Sequence, residues 1–328
     1  MTAPPATACE LRQLGSLPVL GWPALDRPGA EVMVTTRHGG VSAGPYATLN
    51  LSFSVGDDPG SVRENRRRVA AGLGASLADF VFARQVHGGR AAVVSAADRG
   101  RGTLEADEAI ADADALVTRD PGTVLAILVG DCVPIVLYDP VARVLAGVHA
   151  GWRGTVAGIT RAALTAMAGL GSRPADVLAG LGPAIAPDRY QVGEDVREGI
   201  IAGLGDEAAS VLRPDGTGRW LLDLWSANRI MLARAGVPES QIHVAAVPTG
   251  PGGPGAPGNR PVAPGASRSP ADGPPGAGAR PDAGAAGGGL FFSDRTARPC
   301  GRFALVARLT AAPADHPTTS PATGRRSR

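Results

Sequence analysis

Three uninterrupted apolar runs follow one another in the middle of the chain: residues 124–129 (VLAILV), 133–138 (VPIVLY) and 144–149 (VLAGVH). Each is too short for a typical helix and rich in β-branched side chains, and a run that is apolar at every position reads as a strand buried on both faces. Strands of that kind need a layer of structure on each side, so the chain must build stacked layers. Gly130, Asp131 and Cys132 join the first two runs and predict a bend or bulge between them.

Around this centre the pattern is mixed. Residues 31–36, 80–86, 91–95, 114–118, 177–181, 220–222, 242–247, 290–292 and 303–309 read as strands, with 80–86 and 91–95 forming a hairpin across Gly88 and Gly89. Ser61 and Glu64 have the spacing of a capping box and open a helix that ends near residues 72–74. The basic cluster Arg66 to Arg68 reads as a solvated face of that helix. Gly151 to Gly154 turn the third apolar run into a helix carrying Val156, Ile159, Ala163, Leu164 and Met167 at helical spacing, and further helices are expected over 196–204 and 224–235.

The chain has 328 residues, enough for one large domain or two ordinary ones. More than half of residues 249–289 are Gly or Pro, a composition that cannot bury enough apolar surface to offset its ordering entropy. The expected organisation is therefore an N-terminal segment over 1–30, a single catalytic domain over 31–310 interrupted by a disordered insert at 249–289, and a disordered tail over 311–328.

A net charge of +2 implies no field that would capture nucleic acid nonspecifically. Three cysteines, Cys9, Cys132 and Cys300, cannot form a paired disulfide framework, which suits a reducing compartment. With no secretory leader and no run long enough to span a bilayer, a soluble cytoplasmic protein is expected.

His87 in RQVHGG, Cys132 in VGDCVP and His149 in VHAGWRG each stand at the end of a strand-like run and near glycine. A thiolate and two imidazoles form a zinc or copper donor set that leaves a coordination position open for chemistry. Their spacing matches no compact metal motif, so local sequence leaves them equally readable as a buried thiol and two structural histidines.

Seven segments, in order, resemble one family: TTRHGGVSAGPYATLNLS, RQVHGG, DADALVT, VGDCVPIVLYD, VHAGWRGTVAGI, LGPAIAPDRYQVGEDV and FFSDRTARPCGRFAL. This is the YfiH-like family, whose members are called multicopper polyphenol oxidoreductases (laccase-like), purine nucleoside phosphorylases or peptidoglycan editing factors. The resemblance implies an α+β fold of mixed β-sheets packed face to face with outer helices, in four α/β/β/α layers. Composition and periodicity alone imply only mixed α and β.

The resemblance also implies that His87, Cys132 and His149 bind zinc, with copper as the alternative metal, and act in catalysis. It implies substrate contacts from Arg37, Asn50, Arg153 and Arg295. By residue type alone Arg37 and Arg153 are ordinary surface or ion-pair arginines and Asn50 a turn-closing residue. In the closing motif Ser293 and Arg295 match while Asp294 stands where an aromatic is expected, and Pro248 and Thr249 replace a cysteine-threonine pair.

The implied activity is zinc-dependent phosphorolysis of adenosine, inosine, guanosine and S-methyl-5'-thioadenosine, with adenosine deaminase activity at the same site. Purine nucleosides and phosphate are then the partners. Peptidoglycan editing is a cellular role rather than a reaction. Competing readings are a metal-free cysteine hydrolase with Cys132 as nucleophile and His149 as base, a binding protein, and a copper-dependent polyphenol oxidase. Five histidines in the whole chain are few for several coppers.

Overall fold

The computed structural model describes residues 9–251 and 289–311; most of the 249–289 run, nearly all of the 311–328 tail and residues 1–8 lie outside the described residues. In chain order the first elements are β1 (Glu10–Leu14), β2 (Leu17–Gly21), β3 (Ala30–Thr35), α1 (Pro59–Gly72), β4 (Phe80–Phe82) and β5 (Ala91–Val93). The centre holds β6 (Ala115–Thr118), β7 (Val124–Val129), β8 (Val133–Asp139), β9 (Val144–Ala150), α2 (Trp152–Val156) and α3 (Ile159–Ala168). Then come β10 (Leu178–Leu181), β11 (Gln191–Val192), α4 (Glu194–Leu204), α5 (Ala208–Val211), β12 (Leu212–Pro214), β13 (Trp220–Leu222), α6 (Leu224–Arg234), β14 (Ile242–Val244) and β15 (Phe303–Leu309).

Two six-stranded mixed sheets are stacked. The first runs β1-β2-β3-β15-β7-β4 and the second β14-β10-β8-β9-β6-β5, with β11-β13-β12 as a small third sheet. Alternation along the central strands explains the stacking. On β7, Leu125, Ile127 and Val129 face the interior between the sheets while Val124 and Ala126 face α1. On β8, Val136 and Tyr138 face that interior, and Ile135 and Leu137 face the helices beyond the second sheet. The four layers are thus α1, two sheets, and a helical layer containing α3, α4 and α6, an α+β fold as expected. Close approach of the sheets requires Gly147, where a Cβ would come within 2.8 Å of Ile127 Cγ1.

Several expectations need correction. The bend at residues 130–132 is a crossing, because β7 belongs to the first sheet and β8 to the second. Strands β4 and β5 form no hairpin; each pairs in parallel with a later strand, β4 with β7 and β5 with β6. Residues 10–21 are not a mere leading segment, since β1 and β2 extend the first sheet. Residues 290–292 form no strand, whereas β15 inserts antiparallel between β3 and β7.

Asp58, not Ser61, caps α1, accepting the Ser61 N–H at 2.7 Å, with Pro59 in the first turn. The helix expected after β9 is two helices, broken where Gly158 takes a left-handed φ of 77°. Arg66 is buried rather than solvated, its guanidinium donating to carbonyls of Leu51, Gly102 and Thr103.

Candidate metal centre and cavity

The chain crosses between the sheets at Cys132, and the strand that follows β8 returns to the same end with His149 opposite Pro134. His87 arrives by a different route. Beyond β4, the Gln85 side chain donates to the Leu128 carbonyl at 2.7 Å and accepts the Leu128 N–H at 2.8 Å, extending the sheet pairing with a side chain. His87 itself sits at a φ of 59°, a left-handed conformation uncommon outside glycine.

Asp114, immediately before β6 and fully buried, holds that conformation. Its carboxylate accepts the backbone N–H groups of Val86 (3.2 Å), His87 (2.9 Å) and Gly88 (2.7 Å). The same carboxylate lies 2.8 Å from His149 Nδ1. One side chain therefore places the loop that presents the first histidine and orients the ring of the second. Facing a carboxylate, Nδ1 of His149 carries the proton, which leaves Nε2 free as a ligand.

Donor atoms of His87, Cys132 and His149 lie within 4.8 Å of one another, and the two imidazole rings meet edge to face at 4.7 Å. Gly151 makes room for the cluster: a Cβ there would stand 2.8 Å from Cys132 Sγ and 3.1 Å from His87 Cδ2.

Burial pushes the Cys132 thiol up, but attraction and hydrogen bonding to His149 and His87 outweigh it and hold it at about 6. Burial likewise disfavours charge on His149, yet Cys132 and Asp114 raise it above its ordinary value. Desolvation of Asp114 is overcome by His149 and by the N–H groups of Gly88 and Val86, so it stays ionised. The pocket thus favours a thiolate beside a protonated imidazole, and a soft divalent metal would bind by displacing the proton on the side of His149 that faces Cys132.

The cluster lies at one end of a cavity of about 780 Å³. Arg153 and Arg295 line it, Arg153 stacked on Trp152 at 4.4 Å and Arg295 over Tyr190 at 5.5 Å. Arg37 and Asn50 are not brought to it. Arg37 stacks on Phe292 at 4.6 Å and donates twice to the Ala47 carbonyl. Asn50 is buried, bonded to Ser52, Asp57 and the Arg302 backbone N–H, so it reaches the cavity only by anchoring Arg302.

Asp131 orients no histidine. It accepts Thr249 Oγ1 at 2.6 Å and the Arg295 N–H at 2.7 Å, tying both flanks of the 252–288 segment to the cavity rim. Asp294, in the place of an aromatic, pairs with Arg298 and Arg302. Sequence reading missed Asp114, Tyr190 and Arg302; the DAD of DADALVT, polar residues leading into an apolar strand, was the signal available for the first.

Purine nucleoside phosphorylase YlmD of Geobacillus stearothermophilus is 39% identical over 237 residues, 69% of this chain and 84% of that protein. The crystal structure of YlmD from the same organism matches with a TM-score of 0.76 at 32% identity, over 92% of this chain and 99% of that one. A purine nucleoside phosphorylase of Deinococcus radiodurans is 46% identical over 222 residues, 67% of this chain and 80% of that one. Adenosine deaminase RL5, from an unknown prokaryotic organism, is 39% identical over 214 residues, 65% of this chain and 82% of that one. A family model matches residues 31–251, and the chain belongs to the family it describes, multi-copper polyphenol oxidoreductase laccase.

Proposed function

We propose that the chain is a zinc-dependent purine nucleoside phosphorylase that also deaminates adenosine. Adenosine, inosine, guanosine and S-methyl-5'-thioadenosine are its nucleosides and phosphate its second substrate. The names of the relatives support the reading. The observation that carries it is the convergence of His87, Cys132 and His149 at one end of a cavity large enough for a nucleoside.

The donor set fits the metal. One thiolate and two neutral imidazoles suit zinc, the space kept by Gly151 is sized for the cluster, and the carboxylate behind His149 is the partner that metal-ligating histidines commonly have. Bound there, zinc would supply Lewis acidity inside the cavity.

The chain's own groups do the rest. In phosphorolysis the C1′–N9 bond breaks, a phosphate oxygen bonds C1′, and the purine leaves with the electron pair and takes up a proton. Tyr190 and Trp152 offer planar faces beside the cluster, and the guanidinium forks of Arg295 and Arg153 stacked on them donate to the acceptors of the base. Six arginines line the cavity against three aspartates, a balance that draws phosphate in.

A second reading has one observation in its favour: Cys132, held near 6 beside His149, is a competent nucleophile for a metal-free hydrolase. A copper phenol oxidase is poorly served, since two of the four histidines among the described residues reach the cluster. The test is product analysis on a nucleoside panel with and without phosphate, beside elemental analysis of the same sample. The proposal requires phosphate-dependent release of free purine and about one zinc per chain. Full activity after chelation favours the cysteine dyad and overturns it.

A further inference from the structure

The cavity has a second end. From the metal cluster it runs along β7 to a lobe over the outer face of the first sheet, where Arg66 of α1 meets Phe82 of β4 and the loop that carries Phe53. Phe82 pairs with Ala126 in the middle of β7, whereas Cys132 lies beyond the end of that strand, so this lobe and the cluster are separate places along the cavity.

Arg66 is only 3% exposed, yet no carboxylate bonds it. Its guanidinium carbon lies 3.8 Å from the centre of the Phe82 ring and 4.3 Å from that of Phe53. Nε donates to Leu51 O at 2.8 Å, and Nη1 to Gly102 O at 2.6 Å and Thr103 O at 3.0 Å. Nη2 has no partner among the described residues, and it is not one of the sealed unpaired atoms of the interior. Two rings and three carbonyls thus hold the group, and Nη2, neither bonded nor sealed, is the donor left to the cavity that Arg66 lines. Asp107, the carboxylate of this lobe, is exposed and makes neither a hydrogen bond nor an ion pair with Arg66.

A buried guanidinium without a counter-charge is costly unless a ligand supplies one. Three backbone carbonyls and two aromatic faces hold this one rigidly, so an arriving oxyanion finds a fixed donor and little ordering remains to be done. We propose that the far lobe is the phosphate subsite, in which Nη2 of Arg66 donates to an oxygen of the inorganic phosphate that serves as second substrate.

The assignment rests on the phosphorylase reading and deepens it. C6 of a purine, where deamination occurs, and C1′ on N9, where phosphate attacks, lie at opposite ends of a nucleoside. A cavity with a metal cluster at one end and an unpaired arginine edge at the other lets one bound orientation serve both reactions.

Calorimetric titration of inorganic phosphate into the full chain, without nucleoside, tests the subsite, and the KM for phosphate tests its use. Arg66→Lys keeps the charge and loses the fork, and should weaken phosphate binding about tenfold or more. Since Arg66 also holds backbone carbonyls, two substitutions on the exposed loop beside it keep the test clear of misfolding. Ala106→Glu adds a competing carboxylate and should weaken phosphate binding about tenfold; Asp107→Asn removes one and should tighten it about two- to fivefold. Opposite signs in the two loop variants, with unchanged melting curves, support the subsite.

Phosphate affinity unaltered in all three variants overturns it, as does phosphate located crystallographically against Arg153 instead of Arg66. Phosphorolysis with a phosphate KM insensitive to these changes sinks the subsite and leaves the phosphorylase reading standing. Phosphate bound at Arg66 by a chain that releases no purine supports the subsite and removes the phosphorylase reading.

Discussion

A buried carboxylate stands at each end of the β8–β9 hairpin, Asp139 at its turn and Asp114, just before β6, beside its open end, and the two differ in what they hold. At the turn, Asp139 accepts the N–H groups of Val141 (2.8 Å), Ala142 (2.9 Å) and Arg173 (3.2 Å) and the Ser172 hydroxyl (2.6 Å). At the open end, Asp114 accepts three N–H groups as well, but its remaining capacity faces the His149 ring beside Cys132 and the cavity. One carboxylate is spent on main chain and hydroxyl, which fixes a turn. The other couples a backbone loop to a titratable side chain, which fixes a site. Carboxylate burial alone therefore marks nothing; the partner decides.

The contrast breaks most sharply at the thiolate. Cys132→Ala should lower the rate of purine release by about 1,000-fold or more and empty the site of metal, read by assay and elemental analysis, with a melting temperature close to that of the parent. An active variant would reduce the open end to another structural cluster.

Next in size is Asp114→Asn. An amide keeps one acceptor oxygen for the Val86 and Gly88 N–H groups but turns an NH2 toward the His87 N–H and the imidazole, so metal affinity should fall about 10- to 100-fold in a competitive zinc titration. An unchanged affinity would equate Asp114 with Asp139.

The matching change at the closed end, Asp139→Asn, should cost about 1–3 kcal/mol in denaturant unfolding and leave the rate per folded molecule untouched. Its pH dependence has a definite sign. Burial raises Asp139, and the Ser172 hydroxyl with the surrounding N–H groups more than reverses that, holding it below its ordinary value. A depressed carboxylate stabilises the fold above its unfolded pKa and loses that contribution as pH falls through the folded one. The gap between parent and Asp139→Asn should therefore narrow below about pH 4 and be flat above it.

The smallest effect sharpens the comparison from the dry interior between the sheets. Gly147→Ala forces a methyl toward Ile127 Cγ1 and should cost about 1–3 kcal/mol with no change in metal content. Loss of metal in that variant would mean that the site depends on sheet spacing as well as on Asp114.

Much of this was legible in the chain because period and composition are local. The apolar runs became β7, β8 and β9, and His87, Cys132 and His149 each stood at a strand end beside glycine, where a scaffold presents side chains. What was hidden depends on partners remote in sequence. The expected hairpin over 80–95 failed because parallel pairing of β4 with β7 and of β5 with β6 leaves no turn signal.

Arg66 carries the local pattern of a solvated helix face, and only the carbonyls of Leu51, Gly102 and Thr103 reveal otherwise. Asp114 reads as the polar start of a strand until the loop over residues 86–88 closes on it. Arg37 and Asn50 were drawn to the site by resemblance, whereas Arg37 bonds to Ala47 and lies over Phe292, and Asn50 accepts the Arg302 N–H.

The central claim is that three side chains remote in sequence share one metal ion. Anomalous-difference diffraction from crystals of the full chain, recorded on both sides of the zinc absorption edge, tests it most directly. The account predicts a single strong peak bonded to Cys132 Sγ and to a nitrogen from each of His87 and His149. A zinc-replete crystal with no peak at that position, or with the ion held by other residues, would contradict it.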